Sequence, residues 1–250
     1  MAVGGEQELK ERITELEEEL SKRAREASES ELQLERYAAD LRETFKEERA
    51  RAQELRRSYM LTVRALASAV EARDAYTGRH AERVAAYGLK LASVFGMRLG
   101  DEPEIEFGFL LHDAGKVAVP DAILFKPGRL TAAERLVIEQ HPVTGSEIVR
   151  DIEFLGAARD VIRSHHERWD GTGYPDGLAG ENIPLSARVF AVADTLDALT
   201  TNRPYRRASS IAQARLIIMR DRGTHFDPAV LDAFTSLPDA VIERIRLEIG

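Results

Sequence analysis

Cysteine is absent from the 250 residues, which excludes disulfides, thiolate-bound metal and a cysteine nucleophile together. Any metal must therefore bind through nitrogen and oxygen. No apolar run approaches the ~18 residues of a membrane span, and the opening MAVGGEQELKER lacks the apolar core of a secretory leader. A cytoplasmic protein is expected. A basic face is missing as well: Lys and Arg number 35 against 43 Asp and Glu, a formal charge of −8. Counterion release, the main drive for binding nucleic acid, then has no broad footprint, and no nucleic-acid partner is expected. Residues 1–60 contain no proline and no tryptophan, and their glycines are confined to Gly4 and Gly5. Hydrophobic residues still make up 44% of the chain, enough for a real core, and the length allows one large domain or a domain with an appendage.

The first 60 residues hold 16 acidic and 12 basic side chains, the composition of a long solvated helix. Counting heptads with Ile13 at position a puts Ile13, Leu20, Ala27, Leu34, Leu41, Glu48 and Leu55 in one column. Leu9, Leu16 and Tyr37 fall at d, where Arg23, Ser30, Thr44, Arg51 and Ser58 interrupt the pattern. A mostly apolar a column predicts a coiled coil over 1–58, marginal and prone to register shift because of its polar d positions. The competing expectation is a single charged helix folded back on the rest of the chain.

From about Tyr59 the pattern becomes that of a compact helical domain, 59–250. Leu61, Ala65, Leu66, Ala69 and Val70 read as one apolar face, and Val84, Leu89, Leu91, Val94 and Phe95 as the next helix. Thr131 followed by Glu134 has capping-box spacing before Leu136, Val137 and Ile138. Ser186 precedes a helix over 187–199, and Ser209 or Ser210 one over 211–220. Gly and Pro crowd the segment from Trp169 to Pro184, which predicts an exposed loop. Strand-like alternation is hard to find, so the fold class expected is all-α.

Six histidines occur, at 80, 112, 141, 165, 166 and 225. His112 precedes Asp113, His165 precedes His166, and both pairs follow apolar helical stretches. Buried imidazoles and carboxylates need partners, and a metal satisfies several at once. His80, His112, Asp113, His141, His165, His166 and Asp194 are seven candidate ligands; one bridging carboxylate makes eight bonds, four to each of two ions. Six-coordinate ions would then keep positions for water and substrate oxygens, the standard two-metal arrangement for in-line attack on phosphorus. Phosphate-ester hydrolysis is the favoured chemistry. His225 lies outside this set and reads as structural. The segment ending Gly115-Lys116 is no phosphate-cradling P-loop, since Leu110 stands where its first glycine would be.

The segments DAYTGRH (74–80), LLHDAGKV (110–117), HP (141–142), HHERWDGTGYP (165–175) and VADTLDALTTNRPYR (192–206) resemble, in order and spacing, the HD-GYP domain, a branch of the HD phosphohydrolases. The resemblance runs from roughly Leu61 to Phe234. It implies an all-α, HD-type fold preceded by the long coiled-coil helix, and a metal-dependent phosphodiesterase that opens cyclic di-GMP to pGpG and in some members carries it on to GMP. It assigns His80, His112, Asp113 and Asp194 to one divalent ion and His141, His165 and His166 to the other, with Asp113 bridging. Iron or manganese is favoured for these ions, and zinc and nickel also suit the ligands.

The same resemblance puts Lys116 beside the scissile phosphate, where an ammonium stabilises developing charge; a lysine capping a helix end is the plainer alternative. Asp74 and Thr77 match positions bordering the substrate, and capping of the following helix is an equal reading of both. Tyr174 is implied at the guanine side of the substrate, on a loop the family uses to contact GGDEF cyclases. Arg203 and Arg206 suit a substrate with two phosphates. One position departs from part of the family: a glutamate that helps hold a third metal is Tyr76 here, whose phenol, with a pKa near 10, is a poor ligand at neutral pH. A parallel homodimer through residues 6–57 is expected, because input from an upstream sensor or a GGDEF-type partner must reach both copies alike. Two other functions compete with the diesterase: a catalytically weak cyclic-dinucleotide sensor acting through protein contacts, and an HD nucleotidase with another phosphate-ester substrate.

Overall fold

Helix follows helix along the described chain. The computed structural model describes residues 3–73, 79–98, 104–202 and 206–249, with side chains from residue 8 onward; Asp74, Tyr76, Thr77 and Arg203 lie outside the described residues. Eleven α-helices occur among those residues, with no strand beyond one isolated bridge, Arg222 to Phe226. None of the helices is long and apolar enough to cross a membrane. Contacts divide the chain into two units, Met1–Ser58 and Tyr59–Gly250.

Helix α1 runs from Val3 to Glu71, and its part up to Ser58 makes the first unit. Its charged face carries pairs at i,i+3 and i,i+4 spacing, Arg12 with Glu15, Arg23 with Glu19 and Arg51 with Glu48, each worth ~0.3–0.5 kcal/mol at such exposure. The apolar a column is exposed: Ile13 at 49%, Leu20 at 73% and Leu41 at 59%.

In the second unit the residues of α1 that enter the core are Val63 and Ala67, with Tyr59 and Met60 packed beside them, whereas Leu61 and Leu66 are more than half exposed. The apolar face expected from Leu61, Ala65, Leu66 and Ala69 is therefore the wrong one. Both stripes have helical spacing, and what selects Val63 and Ala67 is the ring of Phe154 stacked on Tyr59 at 4.2 Å together with the helices that follow.

Those helices are α2 (His80–Phe95), α3 (Glu104–Leu111), α4 (Asp121–Leu124), α5 (Ala132–Ile138), α6 (His141–Ile148), α7 (Gly156–Ser164), α8 (Leu185–Thr200), α9 (Ile211–Arg220), α10 (Pro228–Ser236) and α11 (Asp239–Ile249). Helix α2 packs on α3, α8 and α10, and α7 packs on α3, α6 and α8. Phe109 of α3 and Phe190 of α8 meet at 5.4 Å between ring centroids, both fully buried. The Phe190 ring in turn meets those of His112 at 4.8 Å and His165 at 5.7 Å between centroids.

The expected capping box forms, and a second one accompanies it. Thr131 and Glu134 close the start of α5, and Ser210 with Gln213 closes α9. Ser186 does not cap α8, which starts two residues earlier than expected, at Leu185 after Pro184, and buries the serine in its first turn. Pro184 itself takes the N-cap position, and its carbonyl accepts from the Ala187 and Arg188 N–H groups. Leu136 and Val137, which follow the box, are exposed at 62% and 39%.

Candidate metal centre

Helix termini leave backbone carbonyls without intrahelical partners, and three histidines occupy those positions. His112 follows α3 and turns its Nδ1 to the Phe109 carbonyl at 3.0 Å; His165 follows α7 and reaches the Ile162 carbonyl at 2.9 Å. His141, just beyond α5, reaches Ile138 at 2.7 Å. Each carbonyl accepts from Nδ1–H, which leaves Nε2 as the lone-pair nitrogen. This is how metal-binding imidazoles are ordinarily oriented. His80 reaches the same tautomer through a carboxylate, Asp197 Oδ2, at 2.7 Å.

The freed nitrogens converge in two groups. One ligand atom each from His80, His112 and Asp194 lie within 4.8 Å of one another, and so do those of His141, His165 and His166. Asp113 stands between them: Oδ2 is 3.1 Å from His112 Nε2 and Oδ1 is 3.3 Å from His141 Nε2. Lys116 Nζ lies 2.8 Å from Asp113 Oδ2. Five imidazoles and two carboxylates with oriented lone pairs fit divalent transition ions and leave hard, all-oxygen cations poorly served.

Proton affinities follow the same geometry. Burial and the neighbouring imidazoles lower His165 well below its ordinary value and His166 to about 3, so both are neutral donors at pH 7. Burial lowers His80 too, but the Asp197 and Asp194 carboxylates outweigh it and the net shift is upward. Burial pushes Asp113 up, while Lys116 and His112 more than reverse this and keep it an anion.

Gly115 does not end a helix as its sequence context implied. It sits inside a 3₁₀ turn, Ala114–Ala118, pressed on the start of α6, where a Cβ would come 1.9 Å from the His141 carbonyl oxygen. Only glycine lets the turn bearing Asp113 and Lys116 approach His141 this closely.

The loop expected over Trp169–Pro184 forms without an α-helix, and its residues are exposed or half-buried apart from Ile183. Glu167, 2% exposed, accepts from the backbone N–H groups of Asp176 and Leu178. Arg163 grips Asp176 through two bonds of 2.7 Å. Tyr174 is stacked on His166 at 4.7 Å. Arg206 is exposed and donates to the Ala198 carbonyl. His225 stacks on Phe226 and belongs to neither histidine group.

Three residues of consequence escape a reading by motif: Asp197, Arg83 and Glu167. Asp197 and Arg83 are 1% and 5% exposed, and Arg83 Nε donates to Asp197 Oδ1 at 2.7 Å. The available signal was spacing: Asp197 follows Asp194 by three residues and Arg83 follows His80 by three, each on one helix face. The cleft in front of the histidines is lined by His80, Asp113, Lys116, His166, Asp194 and Asn202 among others, and encloses about 1020 Å³ with its open mouth, at the upper end of small-molecule sites.

The model of the HD domain matches residues 64–230. The chain belongs to the HD domain family, in its HD-GYP branch. Relatives of this branch include the 3'3'-cGAMP-specific phosphodiesterase 2 of Vibrio cholerae serotype O1, 40% identical over 195 residues that cover 77% of this chain and 35% of that protein. Another is the cyclic di-GMP phosphodiesterase response regulator RpfG of Xanthomonas campestris pv. campestris, 42% identical over 69% of this chain and 46% of the relative. The chain thus spans between a third and a half of the length of these two HD-GYP relatives. Among solved structures, a cyclic GMP-AMP specific phosphodiesterase of V. cholerae shares the fold, with a TM-score of 0.53 at 20% identity over 74% of this chain and 53% of that one.

Proposed function

We propose that this chain is a divalent-metal-dependent phosphodiesterase that opens cyclic di-GMP to pGpG. The observation that carries the reading is Asp113, whose two oxygens each lie against a histidine of a different group. In this reading His80, His112 and Asp194 hold one ion, His141, His165 and His166 the other, and Asp113 serves both. The chemistry such a pair would supply when bound is Lewis acidity toward the phosphodiester and a lowered pKa for the attacking water, so that it reacts as hydroxide. Iron or manganese is the preferred metal, with zinc and nickel as alternatives.

The chain's own groups do the rest. The Lys116 ammonium, 2.8 Å from Asp113, stabilises charge on the phosphoryl oxygens as water's oxygen bonds to phosphorus and the P–O3′ bond breaks. Tyr174 borders the base side of the cleft. Asp74, Thr77, Arg203 and Arg206 complete the substrate contacts, the arginines pairing with the phosphates. Residues 6–57 form a parallel homodimer that couples an upstream sensor or a GGDEF-type partner to the site.

Cyclic di-GMP is the substrate named for several relatives. A second reading, 3′3′-cGAMP, has support in the relative at 40% identity named for that dinucleotide. Incubating the full chain with Mn²⁺ or Fe²⁺ and each dinucleotide, with products followed by chromatography, tests both. Accumulation of pGpG from cyclic di-GMP is expected, with GMP appearing slowly, because Tyr76 stands at the position where the family resemblance implies a third-metal glutamate in some members. Intact cyclic di-GMP alongside cleaved cGAMP would select the second reading, and rapid complete conversion to GMP would overturn the single-cut one.

A further inference from the structure

Helix α2 begins without a conventional cap. Arg79 precedes it with φ 57°, in the left-handed region, and offers no side-chain hydrogen bond to the helix start. The acceptor comes from elsewhere: Glu71 Oε1, on the last residue of α1, takes the Ala81 N–H at 2.5 Å. A carboxylate here satisfies one of the donors that a helix leaves open and suits the positive end of its dipole. The residue next to Ala81 is His80, whose ring then reaches Asp197 on one side and Asp194 on the other.

Two residues past Glu71, Arg73 makes the complementary connection. Its Nη1 donates to the Val117 carbonyl at 2.7 Å, and its Nη2 to the Val119 carbonyl at 3.4 Å and Asp121 Oδ1 at 2.6 Å. These acceptors immediately follow Lys116, whose own carbonyl is bonded by Val119 N–H. A planar guanidinium spanning three oxygens fixes the turn in a way that an ammonium does not.

We propose that Glu71 and Arg73 are positioning residues: Glu71 sets the helix start that presents His80, and Arg73 sets the turn that presents Lys116. The end of α1 is thereby tied to a metal ligand and to the charge-stabilising lysine by two side chains of opposite sign. This rests on the metal-dependent reading above, and it assigns separate consequences to the two residues. Losing Glu71 loosens one ion and spares the other, since no residue of the second histidine group lies on α2. Losing Arg73 displaces Lys116 and leaves both ions bound.

The test uses the full chain, Mn²⁺ titration calorimetry and steady-state kinetics. Glu71→Ala should weaken one of two Mn²⁺ ions by ~10–100-fold, the range seen when a partner of a metal ligand is removed, and Glu71→Gln, which keeps an acceptor but not the charge, by less. Arg73→Ala should keep wild-type Mn²⁺ affinity and KM while kcat falls ~10-fold or more, with only partial recovery in Arg73→Lys. Lower thermal stability with unchanged Mn²⁺ affinity in both Glu71 variants, or unchanged kcat in Arg73→Ala, would overturn the proposal for that residue. A wild type that binds two Mn²⁺ yet cleaves no cyclic dinucleotide would overturn the substrate reading alone, and selective loss of one ion in Glu71→Ala would still support the role of Glu71.

Discussion

Asp197 accepts from His80 Nδ1 at 2.7 Å with one oxygen and from Arg83 Nε at 2.7 Å with the other, almost wholly out of solvent. A buried carboxylate between a cation and an imidazole fixes both the orientation and the tautomer of the ring. Burial alone would raise Asp197, yet His80 and Arg83 hold it below its ordinary value, so it stays anionic. Asp197→Asn should therefore weaken the ion assigned to His80, His112 and Asp194 by ~10–100-fold and leave the other in place. Asp197→Ala should also destabilise the chain by ~3–5 kcal/mol, because Arg83 is left buried without its carboxylate. Metal titration and chemical denaturation of the two variants check this.

Asp113→Ala should abolish hydrolysis and remove most of the metal, since one carboxylate faces both histidine groups. Elemental analysis of the purified variant is the measurement. Wild-type metal content would show that Asp113 bridges nothing.

Gly115→Ala should be far more damaging than its size implies. The new Cβ meets His141 backbone oxygen at 1.9 Å and Gly145 nitrogen at 2.6 Å, both on α6, and backbone cannot swing aside as a side-chain tip can. A loss of at least ~1–3 kcal/mol is expected, accompanied by loss of metal. Gly156→Ala is the contrasting case: it lies at the start of α7 with nothing within 4 Å of a Cβ, and its stability should stay within ~0.5 kcal/mol of wild type. Equal melting temperatures for the two variants would contradict the close approach.

Acid should destabilise the metal-free chain well before its carboxylates titrate. His165 and His166 are lowered by burial, His166 to about 3, whereas in the unfolded chain both protonate near 6.5. Below ~6.5 the unfolded state binds more protons, so stability falls with pH. Asp113, also lowered overall, adds a loss of the same sign under ~4. His80 opposes them: its raised value contributes stability that is complete below ~6.5 and lost as pH rises through the folded value. Two lowered imidazoles outweigh one raised, and thermal melts in chelator should give a lower midpoint at about pH 5 than at about pH 7. The reverse order would defeat the assignment of neutral, buried imidazoles.

The exposed a column of α1, with Leu20 at 73% and Leu34 at 65%, predicts that the full chain is dimeric by light scattering and that a chain beginning near Arg57 is more monomeric. Arg23→Leu together with Ser30→Leu fills two polar d positions and should lock one register, changing activity without touching the histidines. The same oligomeric state for both lengths would remove the coiled coil as the dimer contact.

Helical character, the capping box at Thr131 and the metal-capable residues were legible in the sequence because each depends on near neighbours. Thr131 finds Glu134 within one turn, and Gly-rich HHERWDGTGYP is a contiguous signature. Only the tertiary structure decided which face of Tyr59–Val70 is buried, since Leu61 and Val63 offer equally regular stripes and a distant ring, Phe154, chooses between them. It also decided that Gly115 serves a close backbone approach instead of a helix end. Tertiary packing alone joined Asp197 to His80 and Arg83. A buried charge cannot be interpreted until its partner is known, and these partners lie on helices that meet only through the packing of α2 on α8.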